Sequence, residues 1–190
     1  TVGHYLILGV LGEGGMGVVY QARDTRLGRL AALKMMRPDW AGDPERRRRF
    51  VREAQSASAL NHPNILTIYE VNADGGLDYI AMEYVEGGTL ADVMKAGPLE
   101  AERALRVAAQ VADALEAAHA ASIVHRDLKP SNIFITTTHE VKLMDIGVAK
   151  ILDNKANTQS GSMIGTLMYI SPEQIKGHDA DFRSDIYTLG

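Results

Sequence analysis

The sequence predicts an α+β chain made of two lobes, the first rich in strands and the second mainly helical. Short runs of Val, Leu, Ile and Tyr broken by a Gly cluster fill the first 40 residues. From Leu99 to Ala121 the chain is Ala-rich and strongly helix-forming. Between these parts, near residues 85–88, Gly87-Gly88 reads as a flexible link. A length of 190 residues suits one domain or two small lobes. The expected division is 1–84 for the first lobe, 85–88 for the hinge and 89–190 for the second lobe.

Residues 4–12 and 17–23 read as strands on either side of a Gly cluster at 12–17, and Leu30 to Met36 as a short buried strand. Asp43 then caps a helix whose first position is Pro44, where the missing N–H costs nothing, with Glu45 in the favourable first turn. Phe50, Ala54, Ala57 and Leu60 recur at helical spacing, and Asn61-His62-Pro63 ends the helix. The four arginines Arg46 to Arg49 point in different directions around it and read as a solvated face. Residues 65–72 and 77–84 read as strands joined by the turn Ala73-Asp74-Gly75-Gly76. In the long helix, Leu105, Ala108, Val111, Ala112 and Leu115 are expected on one apolar stripe.

Composition excludes several classes. Hydrophobic residues at 46% and charged residues at 23% rule out a disordered tail, a collagen repeat and a coiled coil. Twenty Lys+Arg against 24 Asp+Glu leave −4, so no basic field points to nucleic acid. With no cysteine, disulfides, zinc–thiolate sites and Cys nucleophiles are out. No apolar run is long enough to span a membrane, and residues 1–5 lack the layout of a signal peptide. Both ends look cut, the last residues stopping inside an apolar pattern. The chain is therefore expected to be a piece of a longer protein.

Gly12-Glu13-Gly14-Gly15-Met16-Gly17 matches G-x-G-x-x-G. A dinucleotide site would need a helix to open at the third Gly, but Val18-Val19-Tyr20 argues for a strand. A strand–loop–strand flap instead lets backbone N–H groups approach phosphates, because no Cβ intervenes. A mobile turn without ligand is the alternative at this point.

Distant motifs decide between them. His125-Arg126-Asp127-Leu128-Lys129-Pro130-Ser131-Asn132 contains H-R-D-L-x-x-x-N, and Lys34 ends Ala31-Ala32-Leu33-Lys34 in the third strand. Asp145-Ile146-Gly147 begins 18 residues after Asp127, and Ser171-Pro172-Glu173 ends 28 residues after Asp145. In this order the motifs resemble the protein kinase family over residues 4–190. The resemblance implies a protein-kinase-like fold: an antiparallel sheet with one main helix, then a mostly helical lobe that is incomplete here. Gly-Glu-Gly-Gly-Met-Gly-Val-Val-Tyr and Ser-Asp-Ile-Tyr-Thr-Leu-Gly look most like the bacterial branch of eukaryotic-type Ser/Thr kinases. That branch implies a cytoplasmic catalytic part, often anchored by a membrane segment elsewhere in a longer protein.

The resemblance also implies roles. ATP is the phosphate donor. Gly12, Glu13, Gly14, Gly15, Met16 and Gly17 would cover its phosphates, while Leu11, Val19 and Ala32 would enclose the adenine. Lys34 would hold the α- and β-phosphates, oriented by Glu53, with Glu45 as rival candidate. Main-chain groups near Glu83 and Val85 would bind the adenine edge, with Met82 as gatekeeper. Asp145 and Asn132 offer hard oxygens for Mg²⁺, with Mn²⁺ as a substitute. Asp127 would receive or orient the substrate hydroxyl proton, and Lys129 beside the γ-phosphate points to Ser or Thr in a protein as acceptor. Arg126 could pair with a phosphate on the following segment, Thr158 and Ser160 being the best acceptors for autophosphorylation, while Thr166 would bond Asp127 and Lys129. A second copy of the kinase is a possible partner.

Two departures stand out. Ile146 replaces the family's Phe, expected to pack between the lobes with less area, and Ser171 replaces Ala. Asp185 would hold the backbone of the His125–Asp127 loop, whereas the Arg that pairs with Glu173 would lie past Gly190. The competing readings are a pseudokinase serving as a scaffold, disfavoured because Lys34, Asp127 and Asp145 are all present, and an inactive truncated fragment.

Overall fold

A computed structural model describes residues 1–14, 17–36, 44–146 and 168–190, with the backbone alone at 44–47, 49, 50 and 53. The chain forms two compact units, Thr1–Ala59 with Thr67–Val85, and Leu60–Leu66 with Glu86–Gly190.

The first unit is a five-stranded antiparallel sheet of β1 (Tyr5–Gly14), β2 (Gly17–Asp24), β3 (Leu30–Met36), β4 (Ile68–Asp74) and β5 (Leu77–Glu83), in the order β1-β2-β3-β5-β4. Helix α1 (Pro44–Ser58) packs against β4. As a central strand, β3 has neighbours on both edges and buries most of its run, which explains an apolar stretch broken only at Lys34. One face carries the core of Tyr5, Ala22, Ala31, Leu33, Tyr79 and Ala81. The opposite face carries the alternate residues. Around Glu70 lies a polar cluster that the sequence did not announce: Tyr79 and Tyr5 hydroxyls donate to its carboxylate at 3.0 and 3.3 Å, and Asn72 Nδ2 at 2.7 Å. Burial and the Glu70 carboxylate push the Tyr79 hydroxyl pKa up to about 12.

The second unit contains a three-stranded sheet of β6 (Gly87–Thr89), β7 (Ile133–Thr136) and β8 (Val141–Leu143), with helices α2 (Leu90–Lys95), α3 (Ala101–Ala120), α4 (Pro172–Ile175) and α5 (Phe182–Leu189). Thr89 caps α2 through a reciprocal capping box with Asp92. Lys95 and Thr89 hold Asp92 down to a pKa of about 2.

Several boundaries differ from expectation. The ladder runs through Gly14↔Gly17, so the Gly cluster belongs mostly to strands and only residues 15–16 connect them. Helix α1 stops at Ser58, and Leu60 packs into the second unit's core rather than on the helix stripe. Strand β4 starts at Ile68 because Ile65 instead bridges Leu143 in parallel. The β4–β5 turn is tightened to Gly75-Gly76, both at positive φ, which suits a two-residue hairpin. Gly87-Gly88, expected as a flexible link, is strand: β6 pairs with β7, and a Cβ on Gly87 would meet Ile135 O at 2.1 Å. On α3 the buried stripe is Val107, Val111, Ala114, Leu115 and Ala118, whereas Leu105 and Ala112 are exposed. At roughly 100° per residue those two lie about 100° or more from Val111, off the core-facing side.

Candidate active site

Each unit assembles its own set of expected residues. In the first, β register does the work. Val19 pairs with Lys34 and Lys34 with Ile80, while Ala32 pairs with Met82. Residues directly opposite share a face, so Val19, Ala32, Lys34 and Met82 stand on the same side of the sheet, away from the Tyr5–Ala81 core. Lys34 and Met82 are buried there. Leu11 is the extra residue of a bulge between Val10↔Tyr20 and Gly12↔Val19, half exposed at the end of β1. The Glu83 N–H donates to Thr67 O at 2.9 Å and its carboxylate accepts from Thr67 N at 2.8 Å, which ties the end of β5 to the segment before β4. Val85 ends the first unit.

The glycines separate into two kinds. Gly17 has φ +143°, and a Cβ there would sit 2.0 Å from Met35 O, so strand packing alone demands glycine. Gly12 and Gly14 have no such requirement: a Cβ would meet nothing within 4 Å. Among the described residues no contact explains their lack of side chains, and their backbone there is open enough for a phosphate to approach. Glu13, between them, is exposed opposite Val18. Gly15, Met16, Thr158, Ser160 and Thr166 lie outside the described residues, as does the side chain of Glu53 on α1, and that of its rival Glu45.

In the second unit the β7–β8 hairpin brings two metal-ligand candidates together. Ile133 pairs with Leu143, so Met144 N donates to Asn132 O at 2.9 Å and Asp145 follows directly. Asn132 is buried at the end of a 3₁₀ turn, Pro130–Asn132. Its Nδ2 donates to Asp127 O at 2.8 Å and to Asp127 Oδ2 at 3.1 Å. Lys129 Nζ stands 2.7 Å from the same Oδ2. Asp127, Lys129 and Asn132 are thus one cluster, with Asp127 as its shared acceptor.

The loop bearing Asp127 is held under strain. Arg126 has φ +68° and Asp145 φ +55°, left-handed conformations that non-glycine residues adopt at a cost. The Asp185 carboxylate, buried on α5, accepts from His125 N and Arg126 N, each at 2.8 Å. The role expected for Asp185 is met. His119 Nε2 adds a contact to Asp185 Oδ2 at 2.8 Å. His125 itself is fully buried. Its Nδ1 accepts from Asp127 N at 3.3 Å, which leaves Nε2 to donate to Met144 O at 3.0 Å. Burial holds its pKa below the usual imidazole value, against the pull of Asp185, Asp127 and Asp145, so the ring is neutral.

Three supporting residues had no signal in the sequence. His119 sits in an Ala-rich helix without a partner at catalytic spacing, and its contact with Asp185 crosses 66 positions. Gln174 Nε2 donates to Arg126 O at 2.8 Å. Ser184 Oγ donates to the Glu173 carboxylate, which lowers the Glu173 pKa. Ile146 is buried in the second unit's own core, beside Leu128 and Leu143 among others.

The first unit thus carries a buried lysine beside an open glycine strand, and the second carries the Asp127–Lys129–Asn132 cluster. The family description "Protein kinase domain" matches residues 5–190, and the chain belongs to that family. It is 47% identical to a probable serine/threonine-protein kinase of Streptomyces coelicolor over 99% of this chain and 29% of that protein. It is likewise 47% identical to serine/threonine-protein kinase PknB of Mycobacterium leprae, over 95% of this chain and 30% of that protein. Serine/threonine-protein kinase PrkC of Bacillus subtilis is 48% identical, over 99% and 29%. The chain therefore spans about three tenths of the curated relatives it matches. The crystal structure of the Mycobacterium tuberculosis PknI kinase domain aligns with TM-score 0.81 at 33% identity, covering 100% of this chain and 70% of that one. The fold is that of a bacterial Hanks-type protein kinase domain. Among the described residues, no helix is long and apolar enough to cross a membrane.

Proposed function

We propose that this chain is the catalytic part of a protein kinase that transfers the γ-phosphoryl group of ATP to Ser and Thr residues of proteins. The observation that carries the reading is the Asp127 carboxylate, held by Lys129 Nζ and Asn132 Nδ2 on a strained loop gripped by Asp185. In the reaction the substrate hydroxyl oxygen forms a bond to the γ-phosphorus while the bond to ADP breaks, and the hydroxyl proton passes to Asp127. Lys129 offers its ammonium to the charge on the transferred group. Lys34 holds the α- and β-phosphates, with Glu53 as its orienting carboxylate, and the open backbone at Gly12 and Gly14 covers them. Leu11, Val19 and Ala32 enclose the adenine, main-chain groups near Glu83 and Val85 bind its edge, and Met82 is the gatekeeper.

The donor set fits Mg²⁺. Asn132 spends its Nδ2 on Asp127, so Oδ1 is the atom it can turn to a cation, and Asp145 adds a carboxylate. Two hard oxygens leave the remaining positions to phosphates and water, as Mg²⁺ prefers, and Mn²⁺ can substitute. When bound, the ion neutralises phosphate charge.

The names of the relatives support Ser/Thr as acceptor, as does Lys129. Arg126 receives a phosphate on Thr158 or Ser160, with Thr166 docking near Asp127, so a second copy serves as transient substrate. The catalytic part works in the cytoplasm, where ATP is available, whether or not a longer protein anchors it. Transfer of labelled ATP to protein by the full-length enzyme tests the reading: Asp127→Asn and Lys34→Met should each lower the rate by at least about 10²-fold. An inactive wild type, or variants within a few-fold of it, would favour a pseudokinase scaffold instead.

A further inference from the structure

Arg126 is the most constrained residue of the loop, and the origin of that constraint leads to Gln174. A non-glycine residue at φ +68° persists only where its surroundings hold it. Asp185 holds the Arg126 N–H at 2.8 Å. The carbonyl of the same residue is held by Gln174 Nε2, also at 2.8 Å. That carbonyl belongs to the peptide joining Arg126 to Asp127, so its orientation sets the backbone from which the Asp127 side chain departs. The N–H of this peptide goes to His125 Nδ1 at 3.3 Å. Both ends of the 126–127 peptide are therefore anchored.

The Gln174 amide is itself oriented. Ser171 N and Ser171 Oγ donate to Oε1 at 3.2 and 3.0 Å. A backbone N–H can only donate, so Oε1 faces Ser171 and Nε2 faces Arg126. The same side chain closes the capping box of α4. Helix α4 is tied to α5 by Ser184 Oγ on Glu173, and Thr188 Oγ1 on α5 donates to Tyr169 O at 2.8 Å. Asp185 and Gln174 thus grip Arg126 from two helices that are bonded to each other.

We propose that Gln174 is a positioning residue for Asp127: it fixes the 126–127 peptide and so links the order of the α4 turn to the rate of phosphoryl transfer. This rests on Asp127 acting as proposed above. Gln174→Glu is the discriminating variant, because it keeps an acceptor for Ser171 and hence the α4 cap, but turns the donor into a carboxylate facing a carbonyl. In the full-length protein we expect kcat to fall about tenfold with KM for ATP unchanged. Lowering the pH from about 8 to about 6 should narrow the gap to wild type, because a protonated Glu regains a donor. Hydrogen exchange in a peptide covering 124–129 should quicken, while that of α3 stays the same. Unchanged exchange and a kcat within twofold of wild type at every pH would overturn the proposal. A Gln174→Glu protein that melts early, loses exchange protection in α3 as well and shows no pH rescue would also overturn it, in favour of a purely structural role. Quickened exchange confined to this loop in a protein whose wild type transfers no phosphate would refute the proposed reaction while leaving the anchor standing.

Discussion

Asp185→Asn removes one charge from the interior of the second unit at almost constant volume, so its cost is electrostatic and can be worked from the hydrogen bonds. The carboxylate is 1% exposed and serves His125 N, Arg126 N and His119 Nε2, each at 2.8 Å. An Asn retains one acceptor oxygen. Its NH₂ must then face a backbone N–H that has no other partner among the described residues, which forfeits one charge-assisted bond worth about 1.5–3 kcal/mol. The surviving bond also loses its charge assistance, which brings the total to about 3 kcal/mol. Without its N–H anchor, Arg126 can leave the left-handed region, a relaxation that returns about 1–2 kcal/mol and displaces Asp127. The net expectation is a loss of about 1–2 kcal/mol in stability and at least a tenfold loss in transfer rate. Urea unfolding followed by far-ultraviolet circular dichroism, beside an assay with labelled ATP, reads both. A variant within about 0.5 kcal/mol of wild type and equally fast would show that Asp185 does not hold the loop.

Two further outcomes follow from the same geometry. Gly17→Ala places a Cβ 2.0 Å from Met35 O at φ +143° and should destabilise by about 3 kcal/mol or more, whereas Gly12→Ala meets nothing within 4 Å and should leave the melting temperature alone while raising KM for ATP several-fold. Equal stability loss in both would remove the distinction between a packing glycine and a ligand-facing one. His125 is neutral when folded because burial lowers its pKa, so below about pH 6.5 the unfolded chain takes up a proton that the folded chain refuses. The stability it contributes is intact above that value and is lost as the pH falls through the window beneath it, by up to about 1.4 kcal/mol per pH unit. His125→Gln should flatten that slope in urea titrations across pH 5 to 7, roughly, and an unchanged slope would assign the effect to another group.

Much of the fold was legible because its signals are local. Apolar alternation, the breaks at Gly and Pro, and the helix start at Pro44 depend on neighbours a few positions away, and the elements they mark appear with boundary shifts of a few residues. The shifts have tertiary causes. Leu60 leaves its helix stripe for another unit's core, and Gly87-Gly88 become strand because β7 offers them a partner. The candidate site residues were readable for a different reason: phosphoryl transfer demands particular groups, and the candidates for them sit in contiguous runs around Asp127 and Asp145. Residues that support them carry no such run. Gln174 and His119 are ordinary polar residues on helices until the fold sets them against Arg126 and Asp185.

Taken alone, the sequence determined the kinase motifs, the order of strands and helices, and the chemical groups available for a nucleotide and a metal ion. Those follow from residue identity and short-range spacing. Only the tertiary structure decided how the groups are held. Register across β2, β3 and β5 put Lys34, Val19, Ala32 and Met82 on one face. Closure of the β7–β8 hairpin joined Asn132 to Met144 and hence to Asp145. A carboxylate from α5 and an amide from α4 fixed the strained peptide before Asp127. Each of these is a hydrogen bond between residues far apart in the chain, and such bonds leave no periodicity for a sequence to display.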